Sequence, residues 1–290
     1  MENILVPISA NSFEWLGIEV AKFIAHEYGA SLTLFHVGPD SNNPLISEFM
    51  TIFRAVRIKV SLETVELIKG GTLAGMIIKR FQKSPFQLII LPSRRRSKRI
   101  DKFLWNSVSA HVIPHVGVDV LQVYEAKKQA SNREPLNIAC LVPNSARDPF
   151  LIRWACAIVT SKVKATLTVI HVDEYPSITP REFAIADPKY VKHKKEFEES
   201  MRALGNKYAV DLSVKLAVGH DLSRTLEDFL SKDVPDILFM GASQKPAKHV
   251  FARNLSERII DKVKCGVVVH HWRYTPSMAE KRATTIANRQ

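Results

Sequence analysis

The chain has 290 residues, of which 46% are hydrophobic and 24% are charged, which is enough for one large domain or two of ordinary size. This composition excludes general disorder, and the longest apolar runs are far shorter than the roughly 18 residues that a transmembrane helix needs. The first residues lack the basic leader of a signal peptide. Three cysteines without a short pairing pattern favour the reducing cytoplasm over a disulfide framework or a zinc cage.

The formal net charge is +12, and both halves of the chain carry part of it. A basic balance favours contact with polyanions. However, the sequence contains neither a helix-turn-helix pattern nor the interleaved aromatic residues on which single-stranded bases stack. We therefore expect no specific DNA binding.

The chain contains a tandem repeat. Four segments of the first half recur in the same order in the second: LVPISA as LVPNSA, SLTLFHV as TLTVIHV, QLIILP as DILFMG, and SAHVIPHVGVDVLQV as SERIIDKVKCGVVVHHW. The spacing between matching segments is larger late in the chain, so the second half carries an insertion after its second strand. Repeat units of this length are too long for a solenoid and predict two copies of one domain.

Each copy alternates strands and helices. The first copy has predicted strands at 4–8, 32–37, 60–67, 88–91 and 118–123, with helices at 12–30, 43–55, 73–82 and 102–114. The second has predicted strands at 138–142, 166–172, 211–217, 236–240 and 267–271, with helices at 148–161, 189–207, 221–231 and 254–264. The short apolar strands are typical of a parallel sheet that helices cover on both faces. The fold class is therefore α/β, with an open five-stranded parallel sheet in each of two units.

The predicted domain boundaries follow from the repeat. They are 1–124 for the first domain, 125–135 for a polar linker, 136–272 for the second domain and 273–290 for a basic tail.

Several short motifs occur in a fixed order: a strand ending Val-Pro, a strand ending His-Val, and a Met-Gly-Ala-Ser turn followed by Ser-Glu-Arg and Cys-Gly-Val-Val-Val. In this order they resemble the universal stress protein family, twice over, so the chain is similar to a tandem universal stress protein. The resemblance implies a Rossmann-like fold whose ligands bind at the carboxyl ends of the strands. It also implies that the halves form an intramolecular pseudo-dimer through their last strands, and it leaves a homodimer open.

The family includes members that bind ATP or AMP, and the resemblance implies where they would do so. Binders carry an Asp after the first strand and a G-2x-G-9x-G-S/T loop after the fourth, whose backbone N–H groups approach the phosphates. In this sequence the position of the family Asp is occupied by Ser9 in the first half and by Ser145 in the second. Of the glycines in the family loop, Gly241 of the second half is the one retained. The family nucleotide motif is therefore degenerate in both halves. Ser9 and Ser145 have two interpretations, as caps or turn formers and as cleft residues.

Two groups of candidate binding residues follow. The nucleotide cleft of the second domain would be lined by Asn144, Ser145, Gly241, Ala242 and Ser243. The basic loop of the first domain offers anion-binding side chains at Arg94, Arg95, Arg96, Lys98 and Arg99. Arginine forks suit phosphate oxygens, whereas the alternative for this loop is a solvated surface on a basic protein.

His36 and His171 end equivalent strands and are read either as packed histidines or as ligand groups. No catalytic residue and no metal ligand is assigned. The sequence therefore favours a non-enzymatic stress-response or regulatory protein that binds unknown protein partners and an anionic small molecule, without a cofactor. The alternative is an ATP- or AMP-binding protein that uses a remodelled site in the second domain, with slow ATP hydrolysis.

Overall fold

The structure is a computed structural model of the whole chain. It describes residues 1–9, 14–38, 43–67, 69–93, 95, 106–126, 136–142, 148–160, 164–175, 185–242 and 255–272. Strands and helices alternate along these ranges, as the sequence predicts.

The first half contains β1 Asn3–Ile8, α1 Trp15–Tyr28, β2 Ser31–Val37, α2 Pro44–Ala55, β3 Val60–Val65, α3 Leu73–Lys83, β4 Leu88–Ser93, α4 Asn106–Val112 and β5 Asp119–Tyr124. The second half contains β6 Leu136–Leu141, α5 Asp148–Thr160, β7 Ala165–Glu174, α6 Pro188–Tyr208, β8 Leu212–Gly219, α7 Leu222–Lys232, β9 Ile237–Gly241, α8 Leu255–Lys262 and β10 Gly266–His271.

The predicted helix at 102–114 is shorter than expected at its end, where a 3-10 turn covers Ile113–His115. Pro114 lies in this turn, and proline cannot donate the backbone hydrogen bond that would continue the α-helix.

All ten strands form one sheet in the order β3-β2-β1-β4-β5-β10-β9-β6-β7-β8. Within each half the strand pairs are parallel. The predicted α/β fold with five parallel strands in each repeat is confirmed.

The two halves meet at an antiparallel seam between β5 and β10. The pairing runs from Val267 opposite Tyr124 to His271 opposite Val120. The prediction that the last strands of the two halves contact each other is confirmed. Because the seam is antiparallel, the strands of the two halves point in opposite directions, and their carboxyl ends lie at opposite edges of the sheet.

The two faces of the sheet differ in how they join the halves. On one face, a single hydrophobic core runs under α1, α2, α5 and α6 and includes residues of both halves. The ring of Tyr28 on α1 meets the ring of Trp154 on α5, with centroids 5.9 Å apart. On the other face, each half has a separate core, under α3 and α4 in the first half and under α7 and α8 in the second. The shared core therefore joins the halves along one face.

Local signals fix several helix ends. Asn43 caps α2 and Asp187 caps α6, and in each case the side chain accepts a hydrogen bond from a backbone N–H of the first turn. Gly29 ends α1 with a φ of 59°, a left-handed conformation that glycine adopts without steric cost.

The strand register corrects one alignment made from sequence. The N–H of Gln87 donates to the carbonyl of Asn3 at 3.0 Å, and the N–H of Asp236 donates to the carbonyl of Asn137 at 2.7 Å. Asn3 and Asn137 are therefore equivalent, whereas the LVP repeat would align Asn3 with Ala139. A shift of two residues keeps every side chain on the same face of a strand, so the hydrophobic pattern cannot reveal it.

Candidate functional site

Strand order reverses between β1 and β4 in the first half and between β6 and β9 in the second. Parallel sheets bind ligands at the carboxyl ends of the strands beside such a reversal. We call these two places the first edge and the second edge. Ser9, Pro92 and Arg95 lie at the first edge, and Gly241 and Ala242 lie at the second.

A buried carboxylate occupies the loop after β1. Glu14 is 2% exposed, and its Oε1 accepts hydrogen bonds from the backbone N–H of Ser9 at 2.6 Å and from the Ser9 hydroxyl at 2.7 Å. Both donors of Ser9 point at a side chain five residues later in the chain. The carboxyl group of Glu14 therefore lies beside the residue that was aligned with the family Asp.

The first turn of α1 lies directly against the end of β4. A Cβ atom added to Gly17 would lie 2.8 Å from Cγ of Pro92, so the close approach requires glycine. At the same end of the helix, a Cβ added to Gly266 of β10 would lie 2.4 Å from Cδ2 of Leu16. The N-terminus of α1 therefore packs against strands of both halves.

A second carboxylate lies at the N-terminus of α1. Glu125 follows β5, and its Oε1 accepts a hydrogen bond from the backbone N–H of Leu16. A helix N-terminus favours an anion because its first N–H groups have no partner within the helix. Burial raises the pKa of Glu125, while its hydrogen bond from Leu16 opposes this rise. The helix end that could receive a ligand phosphate thus holds a carboxylate of the chain itself.

The side chain of Arg95, a residue of the first half, forms hydrogen bonds with the second half. Its Nε donates to the carbonyl of Glu125 at 2.5 Å, and its Nη1 donates to the carbonyls of Ile260 and Val263 at 2.7 Å each. Its Nη2 donates to the carbonyl of Cys265. The guanidinium therefore caps the C-terminal end of α8, where carbonyls lack partners within the helix and the dipole favours a cation.

These contacts correct the expectation that Arg95 binds an anion. Four carbonyl oxygens take its donors, and burial lowers the pKa of its guanidinium. The other members of the predicted anion-binding loop, Arg94, Arg96, Lys98 and Arg99, lie outside the described residues.

At the second edge an indole covers the retained glycine. A Cβ added to Gly241 would lie 2.3 Å from Cη2 of Trp272. The Trp272 ring packs on the ring of His270, with centroids 4.7 Å apart, and His270 contacts the ring of Trp154 at 6.1 Å. Gly241 is therefore explained by the close approach of an aromatic side chain of the same chain.

Ala242 does not offer its N–H as expected. The Ala242 N–H donates to the carbonyl of His270 at 2.9 Å, which corrects the idea that it is accessible to a phosphate. Asn144, Ser145 and Ser243, the other predicted cleft residues, lie outside the described residues. The register of β1 and β6 shows that the alignment from which Ser9 was paired with Ser145 is two residues out within these strands.

The sequence missed a cluster of three side chains at the carboxyl end of β7, beside the second edge. His171 and Asp173 lie near the end of β7, and His193 lies on α6. His171 Nε2 is 3.2 Å from Asp173 Oδ1, and His193 Nδ1 is 3.3 Å from Asp173 Oδ2. The sequence predicted that this strand ends at Val172, which left Asp173 in a loop. In the structure the strand continues to Glu174, so His171 and Asp173 alternate onto one face.

Comparison with known proteins supports the fold. Residues 1–123 match the model of the universal stress protein family. A universal stress protein from Archaeoglobus fulgidus is 17% identical, with a TM-score of 0.59 over 92% of this chain and 97% of that chain. A functionally unknown protein from Pseudomonas aeruginosa is 18% identical, with a TM-score of 0.59 over 93% of this chain and 92% of that one. No curated protein matches the chain in sequence.

Within the described ranges, every helix is too short or too polar to cross a lipid bilayer.

Proposed function

We propose that this chain, whose first half is a universal stress protein domain, is a non-enzymatic regulatory binding protein whose strand-end edges do not hold ATP or AMP. The observation that carries the proposal is that groups of the chain itself occupy both edges. The degenerate glycine loops agree with it, because Pro92 replaces a glycine in the first half.

At the first edge the competing groups are carboxyl groups. Glu14 lies in the loop after β1 and Glu125 at the N-terminus of α1. A nucleotide phosphate brought to this place would have to displace the hydrogen bonds that these groups accept from Ser9 and Leu16. A buried group left without its hydrogen-bond partner costs free energy, which disfavours this displacement.

At the second edge the competing group is apolar. Trp272 covers Gly241, and the N–H of Ala242 already has a partner. A phosphate cradle needs several free backbone N–H groups that point into one cavity. Displacing the indole would expose its apolar surface, which costs about 25 cal/mol per Å².

The same arrangement suggests what the chain binds instead. We propose domains at 1–124 and 136–272 that form an intramolecular pseudo-dimer through the β5–β10 seam, joined by the linker 125–135 and followed by the basic tail 273–290. The basic loop around Arg94 and this tail provide positive charge for an anionic small molecule or an acidic protein partner. The buried thiols of Cys140, Cys156 and Cys265 suit the reducing cytoplasm.

The test is calorimetry with ATP and AMP at low and at physiological salt. We expect no saturable binding by the intact chain at physiological salt, and weak binding at low salt that is lost when Arg94, Arg96, Lys98 and Arg99 are changed to Ala. Exposed charges are screened over about 8 Å at physiological ionic strength, so such binding should disappear as salt rises. Arg95 is left unchanged because it holds the fold together.

A Trp272→Ala variant serves as the control for the second edge. If the intact chain bound either nucleotide with sub-micromolar affinity and without salt dependence, the nucleotide-binding alternative would be correct and the proposal wrong. If the intact chain does not bind but Trp272→Ala does, the indole itself blocks the cleft, as proposed. Absence of binding in both proteins also agrees with the proposal, because the loop glycines are missing.

A further inference from the structure

The cluster of His171, Asp173 and His193 has the composition of a metal site. Two imidazoles and one carboxylate each offer one ligand atom, and these atoms all lie within 4.8 Å of one another. Nitrogen and oxygen ligands of this kind suit Zn²⁺ and neighbouring transition metals, whereas Mg²⁺ and Ca²⁺ prefer oxygen ligands alone.

The hydrogen bonds of His171 fix which of its nitrogens faces the cluster. Its Nδ1 lies 2.8 Å from the carbonyl of Val142, and a carbonyl can only accept, so Nδ1 carries a proton. In the neutral ring Nε2 then carries a lone pair, and this lone pair faces Oδ1 of Asp173 at 3.2 Å. Two lone pairs at this distance repel each other, so a positive charge has to lie between them.

The charge between them can be a proton or a metal ion, and the third residue favours the metal. His193 directs Nδ1 at the other oxygen of the same carboxylate, at 3.3 Å. That oxygen, Oδ2 of Asp173, is buried and accepts no hydrogen bond within the part of the chain that the structure describes. In a tetrahedral zinc site with bonds of 2.0–2.1 Å, neighbouring ligand atoms lie about 3.3 Å apart. Each of the two separations is close to this edge length, although they end on different oxygens of Asp173, and one ligand atom from each of the three residues lies within 4.8 Å of the others.

The surroundings hold the ligands in place and leave an entry path. The carbonyl of Val142 orients the His171 ring, as second-shell acceptors do for metal-binding histidines. Phe197, one turn after His193 on α6, packs against the ring of His171 with centroids 5.0 Å apart. The side chains of Asp173 and His193 are 19% and 26% exposed, compared with 4% for His171, so an ion can enter from their side.

The first half provides a natural comparison. His36 is equivalent to His171, and its Nδ1 lies 3.2 Å from the carbonyl of Ile8. Where the second half has Asp173, the first half has Gly38, and a Cβ there would lie 3.0 Å from Nε2 of His36. The oriented histidine is therefore present in both halves, whereas, among the residues that the structure describes, a carboxylate occupies this strand position in the second half alone.

From this geometry we propose that His171, Asp173 and His193 bind one divalent transition-metal ion of the zinc class, with at least one coordination position left open. The site belongs to the second half and is independent of whether a nucleotide binds. Three protein ligands and an open position are the arrangement from which zinc binds a water molecule or a group of a partner.

The test uses Co²⁺ as a spectroscopic probe and Zn²⁺ as a competitor, on the intact chain after treatment with a chelator. We expect one equivalent of Co²⁺ to give visible absorption bands that Zn²⁺ removes and that Mg²⁺ does not. His193→Gln and Asp173→Asn should each weaken binding by more than about 100-fold, since loss of even an outer-shell partner costs about 10- to 100-fold.

Two variants serve as matched controls. His220→Gln removes an exposed imidazole of the same half that lies 3.2 Å from the carbonyl of Tyr175, outside the cluster. His36→Gln removes the equivalent histidine of the first half. Both should bind Co²⁺ as the unchanged chain does, and thermal unfolding without metal verifies that each variant folds. If the unchanged chain bound no Co²⁺, or if His193→Gln and Asp173→Asn bound it equally well, the charge between these residues would be a proton and the proposal wrong.

Discussion

The groups of the chain that lie at the two edges differ in kind. At the first edge lie the buried carboxyl group of Glu14, the half-buried one of Glu125 and a guanidinium that reaches the other half. The second edge uses an aromatic stack in which Trp272 lies on Gly241 and on His270. The register makes Glu125 and Trp272 equivalent, since each follows the last strand of its half by one residue. Equivalent positions of the two halves therefore carry a carboxyl group at one edge and an indole at the other.

The two halves have the same strand order, but different side chains lie at their strand ends. Among the described residues, these side chains contact other parts of the chain. Internal contacts at these places stabilise the fold, and each contact can be removed separately. The predictions below compare the two edges in this way.

The largest effect is expected from Arg95→Ala. The change leaves carbonyl oxygens at the end of α8 and after β5 without their donor, and each unsatisfied buried group costs about 1–3 kcal/mol. We expect the free energy of unfolding in urea to fall by roughly 3 kcal/mol or more. Arg202→Ala, at an exposed position of α6, is the control and should change it by less than about 0.5 kcal/mol. A small effect of Arg95→Ala on the free energy of unfolding would mean that its hydrogen bonds to the four carbonyls contribute little in solution.

Gly241→Ala tests the aromatic stack of the second edge. The new methyl group would lie 2.3 Å from the Trp272 ring, so either the indole or β9 must move. Overpacking of this kind costs about 1–3 kcal/mol, and we expect a lower melting temperature. Gly117→Ala is the matched control, because a Cβ there meets no atom within 4 Å, and it should leave stability unchanged or raise it slightly. Equal melting temperatures for the two variants would show that Trp272 does not hold this position in solution.

The smallest effects concern equivalent helix caps in the two halves. Thr72 accepts from the N–H of Gly75 at 3.1 Å, and Asp221 accepts from the N–H of Arg224 at 2.8 Å. We expect Thr72→Ala and Asp221→Ala each to cost about 1 kcal/mol at pH 7.

The two caps should differ in their dependence on pH. The hydrogen bond from the Arg224 N–H lowers the pKa of Asp221 below its ordinary value, so the folded state binds this proton less readily than the unfolded state. The contribution of Asp221 is therefore present above about pH 4 and is lost as the pH falls below that, whereas the contribution of Thr72 is constant. Urea unfolding of the three proteins between pH 3 and pH 7 measures this difference. A constant cost of Asp221→Ala at all pH values would contradict it.

Sequence patterns predict the fold well because they are local. The alternation of strands and helices, the four repeated segments and the two last strands are all visible as short stretches, and the structure arranges them as expected. The alignment of the first strands failed by two residues, since the Val-Pro motif lies inside β1 but beyond the end of β6. A motif can move along a strand by two positions without changing which face it buries.

The candidate sites depend on contacts between distant residues, and here the sequence was less informative. Arg95 appeared to belong to a basic loop, but its partners at Ile260 and Cys265 follow it by more than 160 positions. Trp272 lies after the last predicted strand, where nothing indicates that it folds back onto Gly241. His171 and His193 are separated by an insertion, so no short spacing shows that they share one carboxylate.

The antiparallel seam has a consequence for the order of folding. The parallel strand pairs form within one half. In contrast, β5 can pair with β10 only after this strand, the last of the ten in chain order, has been synthesised. Contacts so far apart in sequence are entropically costly to form, and repeated domains of this size tend to fold as separate units. We expect each half to fold on its own and the β5–β10 pair to form late, when the two halves dock. Arg95 can bond to the end of α8 only after that step. A chain released before β10 emerges would expose β5 as an unpaired strand edge, the surface through which one copy can pair wrongly with another.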